Sequence, residues 1–169
     1  MTINYTYIQA ISAGFPGVNC SMSGSNNIYE NIVWESGNQL PLKTDLDIWI
    51  INQIKLDMKS LIQTERDRRK LSGGYAVDSY WYHSDDTSRI QQLALVMLGT
   101  NLPSGIMWKT RSGAFVEMTQ TLAGQIFNAA VTSDQTLFTV SEQKTAAMLA
   151  SQDPANYDYL SGWPLSYGE

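Results

Sequence analysis

Ile51, Ile54, Met58 and Leu61 recur at steps of three and four residues, which draws one apolar stripe along a helix. The flanking residues fix its ends. Pro41-Leu-Lys-Thr44-Asp-Leu-Asp47 is a start signal: Thr44 can cap the first turn and Asp47 can reach back to the cap amide. Asp45 and Asp47 also suit the positive end of the helix dipole. At the other end Arg66, Arg68, Arg69 and Lys70 suit the negative end, and Gly73-Gly74 stops the helix. A helix of this length must be covered along its stripe by the rest of the chain, and 169 residues suffice for one compact domain with short appendages.

Upstream, the pattern predicts strands. Ile3, Tyr5 and Tyr7 alternate with polar residues, Phe15-Pro-Gly is a turn, and Val18, Cys20 and Met22 alternate again. Gly24-Ser-Asn-Asn is a second turn, Ile28 to Trp34 a third strand, and Ser36-Gly-Asn closes a small antiparallel meander. Downstream, a hairpin-then-helix rhythm runs twice. Tyr75-Ala-Val and Tyr80-Trp-Tyr flank a turn at Asp78-Ser79. A helix follows, capped by Ser84 or Asp86, carried by Ile90, Leu93, Ala94, Met97 and Leu98, and ended by Gly99. Ile106 to Lys109 and Ala114 to Met118 flank a turn at Arg111-Ser-Gly113. Thr119 then caps a third helix through Leu122, Ile126, Phe127 and Ala130, which continues or restarts at Leu137, Val140 and Ala147 and ends before Asp153-Pro154. The class is α+β: a small N-terminal antiparallel β meander, a long helix, two β-hairpin–helix units and an extended aromatic C-terminal tail. The expected division is a strand-rich piece over 1–40, an α+β domain over 41–153 and the tail over 154–169.

The tail has no periodicity. Tyr157, Tyr159, Trp163, Pro164 and Tyr167 sit among Asp, Ser and Gly. Such a segment either lies over its own domain or serves as a partner-binding peptide, because aromatic side chains give large contact area at low ordering cost. A net charge of -5 argues against a general nucleic-acid binder, which needs basic excess to displace counterions. The single cysteine, Cys20, excludes an internal disulfide. The N-terminal residues lack the basic segment and apolar stretch of a secretory signal, and the longest apolar run, Ile48 to Ile51, is far short of a bilayer span. Synthesis in a cytoplasm and no membrane association are expected.

Chemistry-bearing patterns are sparse. The lone histidine, His83, stands in Tyr82-His-Ser-Asp-Asp86. Neighbours on a strand point to alternate faces, so these residues do not converge as a triad, and His83 marks a strand-to-helix junction. His83, Asp85 and Asp86 lack the further His or Cys ligands of a transition-metal site, and the acids lack the spacing of a calcium loop. No glycine-rich loop opens a helix, so no nucleotide cofactor is indicated. Glu65-Arg-Asp-Arg-Arg-Lys70 is a short basic run interrupted by acids, and reads as a solvated helix end. Trp81 and Trp108, on predicted strands, read as core. Arg89 and Gln92 flank the second helix's stripe as surface residues or interhelical hydrogen-bond donors. The sequence therefore nominates no catalytic, metal or cofactor residues.

Several short blocks form an ordered series: Glu65-Arg-Asp-Arg-Arg, Tyr80-Trp-Tyr-His-Ser-Asp, Ser88-Arg-Ile-Gln-Gln, Ile106-Met-Trp-Lys-Thr, Gly113-Ala-Phe-Val-Glu-Met-Thr119 and Leu122-Ala. The series resembles a domain family of unassigned function that recurs in tail-fibre and tail-fibre-assembly genes of tailed bacteriophages and prophages. The resemblance covers about residues 45–150 and brings no catalytic residues with it. It implies a non-enzymatic virion tail protein, made in the host cytoplasm, that binds the tail fibre or baseplate as a structural component. The alternative is a transient tail-fibre assembly chaperone. A third reading, an enzyme cleaving cell-surface polysaccharide, requires an acid such as Asp85 or Asp86 in a cleft. Fibres are elongated trimers with exposed strand edges, which a small acidic binder with its own strands could cap or join. Symmetric assembly is the default for tails, so a homo-oligomeric arrangement on the particle is expected.

Overall fold

The structure is a computed structural model that describes residues 2–35 and 40–169. Its elements are α1 (Tyr7–Gly14), β1 (Cys20–Met22), β2 (Ile32–Trp34), α2 (Lys43–Ser72), β3 (Tyr75–Val77), β4 (Tyr80–Tyr82), α3 (Asp86–Leu98), β5 (Met107–Lys109), β6 (Phe115–Glu117) and α4 (Gln120–Ala150). The class is α+β. Each sheet is one antiparallel hairpin: β1 with β2, β3 with β4, β5 with β6. No helix among the described residues is long and apolar enough to cross a membrane. The chain forms two compact units, Met1–Leu61 with Thr145–Tyr159 and Ile62–Lys144 with Leu160–Glu169, so α2 and α4 each contribute to both.

In the first unit, the strand expected over Ile3 to Tyr7 is instead an extended lead into α1. Thr6 and Gln9 form a capping box, each side chain bonding the other's backbone amide, which satisfies two otherwise orphan donors at the helix start. Tyr7, Ala10 and Ile11 then stack on one helical face and are buried, so helical spacing prevails over a three-residue alternation. The meander is thus a helix and a hairpin. Cys20 pairs with Trp34 and Met22 with Ile32, and a 3-10 turn at Tyr29–Asn31 shortens the expected third strand. The closure expected at Ser36-Gly-Asn lies outside the described residues. Tyr7, Ala10, Ile11, Ile32 and Leu46 make the core. Each large apolar side chain so buried contributes about 1.5–3 kcal/mol.

α2 begins at Lys43, which puts Thr44 inside the helix rather than at its cap. Asp45 accepts the Leu42 amide at 3.1 Å, and Asp47 accepts from the Tyr7 hydroxyl at 2.7 Å and from Lys43 at 2.7 Å. Of the expected stripe, Ile54 and Met58 are buried and Ile51 and Leu61 half-buried. Trp49 lies so close to Gly14 that a Cβ there would come within 2.5 Å of the indole, hence the glycine. The start of the chain is tied down as well: the Ile3 amide meets the Ala155 carbonyl and the Thr2 hydroxyl donates to Asn156.

In the second unit both hairpins form as read. Asp78 takes the left-handed conformation (φ 52°) in the first turn, and Gly113 (φ 88°) closes the second by donating to Thr110. The hairpins are joined where the Arg111 amide donates to the Trp81 carbonyl at 2.9 Å. Tyr75, Val77, Tyr82, Met118, Ala123 and Ile126 form the core, with Trp108 packed against it. Thr119 caps α4 through the Leu122 amide, and α4 runs unbroken to Ala150. The cap of α3 is Asp85, not Ser84 or Asp86: it accepts the Ser88 amide and hydroxyl, and these hold its carboxyl below the usual carboxylate range. Ser84 is buried and accepts the Gly74 amide instead.

Candidate partner-binding surfaces

The C-terminal end of α2 leaves carbonyls without intrahelical partners, at the negative end of the dipole. Arginines distant in sequence reach them. Arg89, on α3, donates to the Lys70 carbonyl at 3.1 Å, and Arg111, in the β5–β6 turn, donates to the Ser72 carbonyl. Arg89 also donates to the Ser84 carbonyl and grips Asp134 of α4 with both arms of its fork, at 2.9 and 2.8 Å. One side chain thus fastens α2, the β4–α3 junction and α4 together. Gln92 completes the fastening: nearly all buried, it donates to the His83 carbonyl and accepts from the Tyr75 hydroxyl. Burial pushes the Tyr75 phenol up to about 12. Gln92 is therefore a buried hydrogen-bonding residue and Arg89 a half-buried one that joins elements, and His83 marks the junction as expected.

The basic run at the end of α2 is matched by acids throughout. Glu65, buried, accepts from Arg68 and Arg69, and Arg68 first, with Arg69 acting against burial, holds its carboxyl below the usual range. Arg66 pairs with Asp67 and lies 4.4 Å from the centre of the Phe138 ring, while Lys70 pairs with Asp134. This arrangement offers no free row of cations for a phosphate backbone.

Trp163, Pro164 and Tyr167 lie in the second unit, strapped over the same helix end. Arg69 donates to the Pro164 carbonyl, to Ser166 and to both oxygens of Glu169. The Tyr167 amide donates to the Gly73 carbonyl, and its ring meets Trp81 edge-on at 6.0 Å and Arg111 at 4.9 Å. Trp163 has Arg69 and Lys144 near its face. Tyr157 and Tyr159 belong to the first unit and are half-buried there. The strap still presents Leu165 at 74% exposure beside the part-exposed Tyr167.

A second surface was not singled out by the sequence. The apolar stripe of α3 faces outward: Ile90 is 70% and Met97 80% exposed, and Leu93 is exposed as well. What α3 turns inward is Gln92 together with Leu95 and Val96. Ile90 and Leu93 join Phe127, Ala130 and Val131 of α4 around an apolar cleft of about 310 Å³, with the Arg89–Asp134 pair at its edge. The missed signal is compositional, since no charged residue occurs from Ile90 to Trp108 or from Met118 to Ser133. Elsewhere, no group of three His, Cys, Asp or Glu among the described residues is placed to hold a metal ion. Asp85 is engaged as a helix cap, and Cys20 is half-buried with its thiol pushed up by burial.

Residues 53–161 match the family model described as "Domain of unknown function (DUF4376)". The chain belongs to this family. The DUF4376 span contains Glu65, Arg69, Arg89, Gln92, Arg111 and Asp134, so the fastening at the end of α2 lies within the family domain. It also takes in both helices of the apolar cleft and stops short of Trp163, Ser166 and Glu169. No curated protein and no solved structure matches the chain.

Proposed function

We propose that this DUF4376 protein is a non-enzymatic component of bacteriophage tails that binds the tail fibre or the baseplate and stays in the virion. The reading rests on the ordered series of blocks from Glu65 to Ala123, whose resemblance is to tail-fibre and tail-fibre-assembly proteins. Its physical support is the state of the strands. Among the described residues each sheet is two-stranded, so its strands keep an edge outside their own ladder (on β4 the Trp81 carbonyl is already taken by the Arg111 amide), the element by which an extended segment of a fibre adds to a sheet. Leu165 and Tyr167, presented on a strap anchored by Arg69 and Gly73, supply apolar anchors for such a partner.

The test is co-expression with a tail-fibre protein of the same phage, followed by size-exclusion chromatography and mass spectrometry of purified virions. A stable complex with the chain retained in particles is expected. A complex formed in the cell but absent from virions would reassign it as an assembly chaperone. Cleavage of surface polysaccharide by the purified chain would overturn the non-enzymatic reading.

A further inference from the structure

We propose that the end of α2 is a recognition site for an extended peptide in which an aromatic residue precedes a carboxylate by two positions. Residues 163–169 fill it as an internal ligand, and a segment of that chemistry on another polypeptide displaces them. This does not rest on the tail reading.

Receptor and occupant are separate parts of the chain. Arg69, Gly73, Trp81, Arg111 and Lys144 lie within the family span, which ends at residue 161, before the occupant begins. The buried apolar core of the second unit is drawn from Tyr75 to Ile126, whereas the strap leaves Leu165, Tyr167 and Glu169 exposed.

Polar and aromatic contacts hold the strap. Glu65 takes the Arg69 Nε at 2.6 Å, which aims both terminal nitrogens of a guanidinium only 9% exposed at the strap. Those nitrogens donate to the Pro164 carbonyl, the Ser166 hydroxyl and both oxygens of Glu169. The fork is held by Glu65 whether or not Glu169 is there, as bidentate capture of a carboxylate requires. The Tyr167 ring lies against Trp81 and Arg111, and its amide donates to the Gly73 carbonyl. A Cβ at Gly73 would lie 3.1 Å from the Ser166 hydroxyl, so the bare glycine admits the strap. Arg69 and Lys144 flank the Trp163 ring. Together these groups read a tryptophan, a tyrosine four residues on and a carboxylate two further on. Another chain that carries the pattern meets the same groups once the strap leaves.

A ligand tethered by a short linker has an effective concentration of roughly millimolar order, so the strap shuts out a free peptide at micromolar concentration. Weakening the strap should open the site. The probe is a fluorescently labelled peptide of residues 160–169, blocked at both ends and titrated from about 1 to 300 µM into the full chain by anisotropy. The full chain carrying Tyr167→Ala and Glu169→Gln should bind it at least about tenfold more tightly than wild type does. The peptide should also raise the melting temperature of that variant. A peptide carrying the same two substitutions should bind the variant at least about tenfold more weakly, a control that leaves the receptor untouched. If circular dichroism shows the double variant unfolded, Glu169→Gln alone carries the test, since that side chain is 40% exposed. No binding to the folded variant at the highest concentration overturns the proposal. So does equal binding to wild type and variant, or equal binding of the two peptides.

Discussion

Arg89→Met removes four hydrogen bonds at once: two to Asp134 and one each to the Ser84 and Lys70 carbonyls. Methionine keeps most of the aliphatic stem, so the loss is chiefly electrostatic. The Arg89 and Asp134 side chains are 20% and 25% exposed, which places the pair between a surface bridge and a buried one. Breaking a buried pair costs about 3–5 kcal/mol, and the partial exposure argues for the lower end, about 3 kcal/mol. For a chain of this size that lowers the melting temperature by about 6–12 °C. Urea unfolding followed by circular dichroism and tryptophan fluorescence measures it. With two compact units, a split transition is informative, because the shift belongs to the one that reports Trp81, Trp108 and Trp163. Arg89→Lys should recover less than half of the loss, as an ammonium lacks the fork that spans both Asp134 oxygens. A cycle with Asp134→Asn should show coupling above about 1 kcal/mol. A loss below about 1 kcal/mol for Arg89→Met, the range of an exposed pair, would refute the fastening role.

Gly74→Ala should be strongly destabilising, by more than about 2 kcal/mol in urea, because left-handed backbone and a clash combine. Its φ is 74°, and a Cβ would meet the Tyr82 carbonyl oxygen at 2.8 Å and Arg111 Cδ at 2.9 Å; a loss under about 0.5 kcal/mol would contradict this geometry. Removing residues 160–169 should shift tryptophan emission to the red and lower the melting temperature, since it strips Trp81 of Tyr167 and leaves Glu65 as the remaining carboxylate on Arg69. Stability should fall at both pH extremes. The depressed Glu65 and Asp85 carboxyls contribute above the ordinary carboxylate values, and that is lost as pH falls through their folded values. The raised Tyr75 contributes below the ordinary phenol value of about 10, and that is lost as pH rises through about 12. Tyr75→Phe should abolish one late step in an ultraviolet titration.

Local rules made the second unit legible. Asp78-Ser79, Arg111-Ser-Gly113, Gly99 and Gly73-Gly74 carry their conformation in their own chemistry, and Thr119 caps α4 as its position predicts. At the N-terminus the deciding signal is local as well: the capping-box spacing of Thr6 and Gln9 outweighs the brief alternation of Ile3, Tyr5 and Tyr7. The orientation of α3 was harder to read. Its stripe identifies a helix, yet the side that packs carries Gln92, whose partners Tyr75 and His83 come from β3 and from the β4–α3 junction. Tertiary hydrogen bonding outweighed the pattern there. The strap was illegible for a related reason. Its course is set by Arg69 and the Gly73 carbonyl, nearly a hundred residues away, and nothing periodic in the tail encodes that.

The division of the chain has a consequence for biosynthesis. The first unit takes Thr145–Tyr159 and the second takes Leu160–Glu169, so each is completed by residues that leave the ribosome late. Until then α2 is a nascent helix whose arginine at position 69 has its neighbour Glu65 but not Glu169, and whose apolar side is open to other chains. Neither unit can therefore close before these residues are made. A chain cut shortly before residue 160 would lose more than a dispensable tail, because it lacks the piece that closes the second unit.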